Sequence, residues 1–240
     1  MNKPNSKCMA WLIGLVTLLG CSEEPLSEVP HGRRLFTSNS LSPSKLNLYS
    51  CASCHDEGNV SGGLRKSGAL LGGSISRPTF WGGQENDLLD AVNACRSYFM
   101  VAPEPLLPTE PDAIALYAYL ASLRPVTTTA VPFTVVRDIQ PLERGDASRG
   151  EPLYTVACSY CHGLAHTGVG RLRDSVSLLP EQTNMEHASL SKRLQRIVFI
   201  EKVRHGSFLG YGGDMPPFSE EVLNDSELAD VLEYLAVTGE

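Results

Sequence analysis

The pattern Cys-x-x-Cys-His occurs twice in this chain, as Cys51-Ala-Ser-Cys54-His55 and as Cys158-Ser-Tyr-Cys161-His162. Three chemistries use cysteines paired at this spacing: a zinc site, a redox dithiol and covalent haem attachment. A four-cysteine zinc site needs the two pairs to converge and leaves the histidine after each pair unexplained. A thioredoxin-like dithiol sits at a strand-to-helix turn inside a βαβ pattern, and no such pattern is present. On a helical turn, two thiols three residues apart point the same way. They can add to the two vinyl groups of one porphyrin, and the next residue then lies under the iron. This is the attachment signal of c-type haem, and its occurrence twice leads us to expect two covalently bound haems.

The surroundings of the motifs repeat as well. Gly32-Arg-Arg-Leu35-Phe36 precedes the first and Gly150-Glu-Pro-Leu153-Tyr154 the second, with a longer segment inserted ahead of the first cysteines. Each motif is followed by a Gly-rich loop, an amphipathic stretch, a methionine and a closing helix. Met100 stands 19 residues before Tyr119-Leu120, and Met215 stands 19 before Tyr234-Leu235. From motif histidine to methionine the distances are 45 and 53 residues, so the second copy carries an extra loop. Apolar periodicity predicts helices in "ENDLLDAVNACRSYF" and "HASLSKRLQRIVFIEKVRHG", and in "PDAIALYAYLASL", with Ile114, Leu116, Tyr117, Leu120 and Leu123 as its apolar face. It predicts a further helix in "NDSELADVLEYLAV", capped at Asn224, Asp225 or Ser226. Between the copies, "RPVTTTAVPFTVVRDIQPLERGD" is Pro-broken and β-rich, and reads as a partly extended linker with room for a short strand pair. The expected fold is all-α, with two small domains.

Duplicated to this extent, the chain resembles the class I cytochrome c family in tandem, over roughly residues 31–124 and 146–238. The resemblance implies an N-terminal and a C-terminal helix enclosing each haem, with His55 and His162 as proximal ligands. "GGDMPPF" resembles the loop that presents the sixth ligand, which makes Met215 that ligand for the second haem. Register assigns Met100 to the first. "NACRSYFM" also resembles a segment of thiosulfate dehydrogenases and related sulfur-oxidising cytochromes, in which a cysteine five residues before a methionine binds iron; that alternative names Cys95. On one helix, positions five apart lie 140° apart after a full turn, so the two sulfurs are not expected to face one iron. Thiolate ligation lowers a haem's potential and thioether ligation raises it. Cys95 could also be only a small buried hydrophobe. Trp81 is expected to pack on the first haem. Phe36, Tyr49 and Tyr154 are expected to pack helices, His205 to sit at a helix end, and His31, His166 and His187 at the surface.

The first twenty residues do not belong to the fold. Lys3 and Lys7 precede an apolar run of 11 residues, Met9 to Leu19, too short to span a bilayer and built like a secretory signal. Leu18-Leu19-Gly20-Cys21 resembles a bacterial lipobox, which implies cleavage before Cys21 and lipidation of its thiol; Ser22 then implies sorting to the outer membrane. The expected layout is a signal at 1–20, a tether at 21–30, a cytochrome domain at 31–124, a linker at 125–145 and a second cytochrome domain at 146–240. The protein would face the periplasm and touch membrane only through the lipid. The formal charge is −7, and no Lys/Arg run forms a phosphate-binding stripe, so nucleic acid is not an expected partner. The expected partners are redox proteins, which charge alone does not identify.

Two functions compete. An electron carrier would use both haems as relays. An enzyme, peroxidase-like or oxidising sulfur compounds, would use the first haem as its active centre and the second as an electron port. "GRRLFTSNSLSPSKLNLYSCASCHDEG" resembles the start of bacterial dihaem cytochrome c peroxidases. The motifs here are 107 residues apart, closer than in those enzymes, and no second-histidine and acid/amide peroxide site is visible. Peroxide cleavage needs an openable iron position and a proton-handling group.

Overall fold

A computed structural model describes residues 27–58, 63–134, 136–207 and 214–240; the expected signal segment and Cys21 lie outside the described residues. Among the described residues the secondary structure is helical, with one isolated bridge between Phe80 and Glu85 as the only β pairing. The helices are α1 (Glu28–Thr37), α2 (Cys51–Cys54), α3 (Leu88–Tyr98), α4 (Pro111–Ser122), α5 (Ala147–Ala157), α6 (Ser159–His162), α7 (Glu181–Glu186), α8 (Lys192–His205) and α9 (Asp225–Tyr234). The all-α expectation holds.

Two helix pairs organise the chain, α1 on α4 and α5 on α9. Each crosses at a glycine. A Cβ on Gly32 would meet the Ala115 carbonyl oxygen at 1.9 Å, and one on Gly150 would meet that of Asp230 at 2.0 Å. Only glycine lets the backbones approach this closely. One turn further on, Phe36 meets Tyr119 with ring centroids 5.5 Å apart, and Tyr154 meets Tyr234 at 5.6 Å. The Gly-x-x-Leu-aromatic repeat is thus a helix-crossing motif, and these aromatic residues pack helices as expected.

The crossing also decides which face of α4 is inside. Leu116, Tyr119 and Leu120 are buried, whereas Ile114, expected on the apolar face, is 43% exposed. Ala113 and Ala115 are buried there, and α1 comes closest at the Ala115 carbonyl.

Residues 125–145 are not a free span, and no strand pair forms among those described. Val126 and Thr127 donate their amides to the Gly72 carbonyl, the Arg77 Nε–H reaches the Thr127 carbonyl, and Phe133 sits edge-on to Trp81. The chain then reaches the second helix pair, where the Thr134 amide donates to Glu221 Oε2 at 3.0 Å and His205 Nε2–H to the Val136 carbonyl at 2.6 Å. His205 is therefore buried at the end of α8 with a backbone partner. Further on, Arg65 spans the two units, its amide bonding the Val156 carbonyl at 2.8 Å and its guanidinium pairing with Glu227 at 2.7 Å.

Candidate functional site

The first motif is delivered by a pinned loop. Asn47 is almost fully buried; its side chain donates to the carbonyls of Asn39 and Tyr49 at 2.8 and 3.0 Å and accepts the Tyr49 amide at 2.9 Å. Ser50 then starts α2, its amide donating to Ser53 Oγ at 3.1 Å. This single helical turn presents Cys51 and Cys54 to one cavity of about 420 Å³, with His55 immediately after it. Leu41, Leu88, Val92, Leu116 and Leu120 line the cavity, as do Trp81, Cys95, Phe99 and Met100.

The motif histidines are held alike. His55 Nδ1–H donates to the Ala69 carbonyl at 2.7 Å, and His162 Nδ1–H to the Ser177 carbonyl at 2.8 Å. A carbonyl can only accept, so the proton is on Nδ1 and the lone pair on Nε2. Burial holds both imidazoles below the ordinary histidine value, against the pull of these hydrogen bonds, which keeps the rings neutral and able to bind metal. Gly68 gives the His55 ring its place: a Cβ there would meet Cε1 at 2.3 Å.

The thiols are free, and burial pushes Cys51 and Cys158 up to about 12 and Cys54 up to about 11. An activated dithiol requires the opposite shift. Among the described residues no group of three or more His, Cys, Asp or Glu side chains is arranged to hold a bare metal ion. Paired unactivated thiols, an adjacent neutral imidazole with a free Nε2 and an apolar cavity together fit a covalently attached haem.

Met100 and Cys95 both line this cavity. The Phe99 and Met100 amides still donate to the Cys95 and Arg96 carbonyls, so helical register runs on past Tyr98, where α3 ends, and the chain turns away at Val101, whose φ is 52°. Cys95 is close enough to Cys51 and Cys54 for all three thiols to oppose one another's ionisation, after burial, which is the larger cause. Trp81 also lines the cavity, its Nε1–H donating to the Ala91 carbonyl at 3.3 Å and its ring lying over Phe99.

In the second unit Cys158 and Met215 pack against one core cluster. The Ser207 amide donates to the Met215 carbonyl at 2.8 Å, which ties the methionine to the end of α8. The two motifs also approach each other. Tyr49, buried ahead of the first, feels both Cys54 and Cys161 after the dominant effect of burial, which raises its phenol. His31 pairs with Asp112 and His166 with Glu181, both away from the motifs.

Sequence reasoning missed two arginines. Arg96, near the end of α3, is buried and donates to the carbonyls of Leu41 and Glu104 at 3.1 and 2.9 Å. Arg204, at the end of α8, is buried and donates to the carbonyls of Phe218 and Leu223 at 3.1 and 2.6 Å and to Asp225 at 2.6 Å. Each pins the backbone that follows a methionine. The available signal was a cation near the end of the penultimate helix in both copies, Arg96 in α3 and Arg204 in α8.

Residues 145–235 match the family model described as cytochrome c oxidase, cbb3-type, subunit III. Residues 145–235 are a c-type cytochrome domain. At least one c-type haem is implied by that match. Among solved structures, the chain is similar to the as-isolated form of thiosulfate dehydrogenase (TsdBA) from Marichromatium purpuratum, at 18% identity and a TM-score of 0.41, over 87% of this chain. The match covers 45% of that structure's chain. No curated protein matches.

Proposed function

We propose that the protein is an exported dihaem c-type cytochrome that passes electrons between redox partners, with one haem in each of two domains, 31–124 and 146–240. The observation that carries this reading is the duplicated histidine support, in which each motif imidazole gives its Nδ1–H to a backbone carbonyl and keeps Nε2 free. Haem bound there would supply a one-electron couple. His55 and His162 would hold the iron through Nε2. Met100 and Met215 would offer it thioether sulfur, which raises the potential. The proximity of Cys54, Tyr49 and Cys161 supports electron passage between the two sites. Tyr160 and Leu164, about half-exposed or more beside the second motif, favour that site as the port to partners. No helix among the described residues is long and apolar enough to cross a membrane, which is compatible with attachment through a lipid at Cys21.

A second reading draws on one observation: Cys95 lines the same cavity as Met100. A thiolate there would lower the potential of the first haem and favour an enzyme, oxidising sulfur compounds or peroxidase-like, with the second haem as its port.

The deciding experiment is haem quantitation on the exported protein, followed by low-temperature EPR and near-infrared spectroscopy of wild type, Met100→Ala and Cys95→Ala. The carrier reading expects two haems per chain, a thioether signature lost in Met100→Ala and retained in Cys95→Ala, and no enzymatic turnover of thiosulfate or peroxide. A thiolate signature lost only in Cys95→Ala, together with turnover, would replace it by the enzyme.

A further inference from the structure

We propose that Arg173 and Asp214 form a positioning clamp that holds Met215 at the second site and sets that site's potential through ionic strength; this rests on Met215 being the sixth ligand there. Asp214 immediately precedes Met215. Arg173 Nη2–H donates to Asp214 Oδ2 at 2.5 Å. Arg173 lies on the segment that supports the opposite side of the site. In that segment the Leu172 amide donates to the Cys161 carbonyl at 2.9 Å, and the Ser177 carbonyl receives His162 Nδ1–H at 2.8 Å. One ion pair therefore joins the segment that supports the imidazole to the segment that bears the thioether.

The pair is placed to act as an adjustable fastening. Downstream of Met215, buried Arg204 holds the Phe218 carbonyl, out of reach of salt. On the upstream flank, Arg173 and Asp214 are 31% and 46% exposed, so dissolved ions screen their attraction. Among the described residues Asp214 is the carboxylate paired with the Arg173 guanidinium, through Nη2, while the buried Nε has no hydrogen-bond partner. Both charges also act on the Tyr49 phenol, which places the clamp at the contact between the two units.

An exposed ion pair shifts a local equilibrium by up to about fivefold, here the ratio of bound to released Met215. Thioether sulfur favours reduced iron, so releasing it lowers the potential.

The test uses the dihaem holoprotein. The near-infrared band of thioether-ligated ferric iron and both reduction potentials are measured at low and high salt. The samples are wild type, Arg173→Gln, Asp214→Asn, the charge-swapped Arg173→Asp/Asp214→Arg protein, and Met215→Ala. The expected result is a lower second potential and a weaker band in both single variants, by up to about fivefold in the bound-to-released ratio. High salt should bring wild type to the same values, the single variants should lose the salt response, and the swap should regain it. Single variants that keep wild-type potentials and salt response would overturn the clamp. So would single variants that lose the band yet still respond to salt as wild type does. Met215→Ala separates the two levels. If it retains the full band, the ligand assignment fails and the clamp with it; if it loses the second site's band while the single variants behave as wild type, the clamp alone fails.

Discussion

Beside the first motif Tyr49, Ser50 and Ser67 are 7%, 9% and 7% exposed; beside the second, Tyr160, Leu164 and Val169 are 49%, 61% and 66% exposed. The scaffold beneath these two surfaces is the same: a glycine helix crossing, an aromatic pair one turn later, a histidine supported by a carbonyl and a buried arginine near the end of the penultimate helix. What differs is how each site is finished. Residues 126–133 cross the first cavity and wall it with Val126, Val131, Pro132 and Phe133, and Pro216, Pro217 and Val222 of the second unit close it further. At the second motif, an exposed ion pair fastens the methionine segment. A duplicated scaffold can thus carry one walled site and one whose flanks are exposed, because burial around a cavity is set by the segments laid over it, not by the helices beneath.

The comparison can be broken most sharply at the arginines. Arg96→Leu and Arg204→Leu should each cost about 3 kcal/mol or more, since each removes a buried charge's hydrogen bonds and strands carbonyls inside. Denaturant unfolding of both variants checks this, and a loss in only one would end their equivalence. The helix crossings come next. Gly32→Ala and Gly150→Ala should each destabilise by about 1–3 kcal/mol from overpacking, less the helix-propensity gain of up to about 1 kcal/mol. Thermal melts of the two variants should shift together.

A third change should separate the units. Phe133→Ala trims a half-buried ring from the strap and should cost about 1–2 kcal/mol. It should also admit water to the first cavity, altering that site's spectrum and potential while leaving the second unchanged. The smallest effect concerns pH. Burial opposes ionisation of Glu221, but hydrogen bonds led by those from Thr134 outweigh it and hold the carboxyl at about 2. A depressed folded value means the contribution is present above the ordinary carboxyl range near about 4.3 and is lost as pH falls towards about 2. Because Glu221 is exposed, the loss should be under about 1 kcal/mol. Thermal midpoints followed down from about pH 5 should converge for wild type and Glu221→Gln.

Much of this was legible from local signals. The Cys-x-x-Cys-His pairs, the Gly-x-x-Leu-aromatic repeats and the 19-residue step from each methionine to Tyr-Leu laid out two like units and named the residues of each site. The helices now seen as α3, α4, α8 and α9 followed from apolar periodicity. These features are encoded within one helical turn or one helix, where spacing alone dictates which side chains point together. The rest needed remote partners. Tyr119 turns inward and Ile114 outward because α1 crosses at Gly32; residues 125–145 become a strap because Gly72 and Trp81 receive them. Arg96 and Arg204 can be buried because carbonyls distant in sequence satisfy them. The cavity that Cys95 and Met100 line is completed by Val126, Phe133, Pro216 and Pro217, segments remote in sequence, which residue spacing does not record.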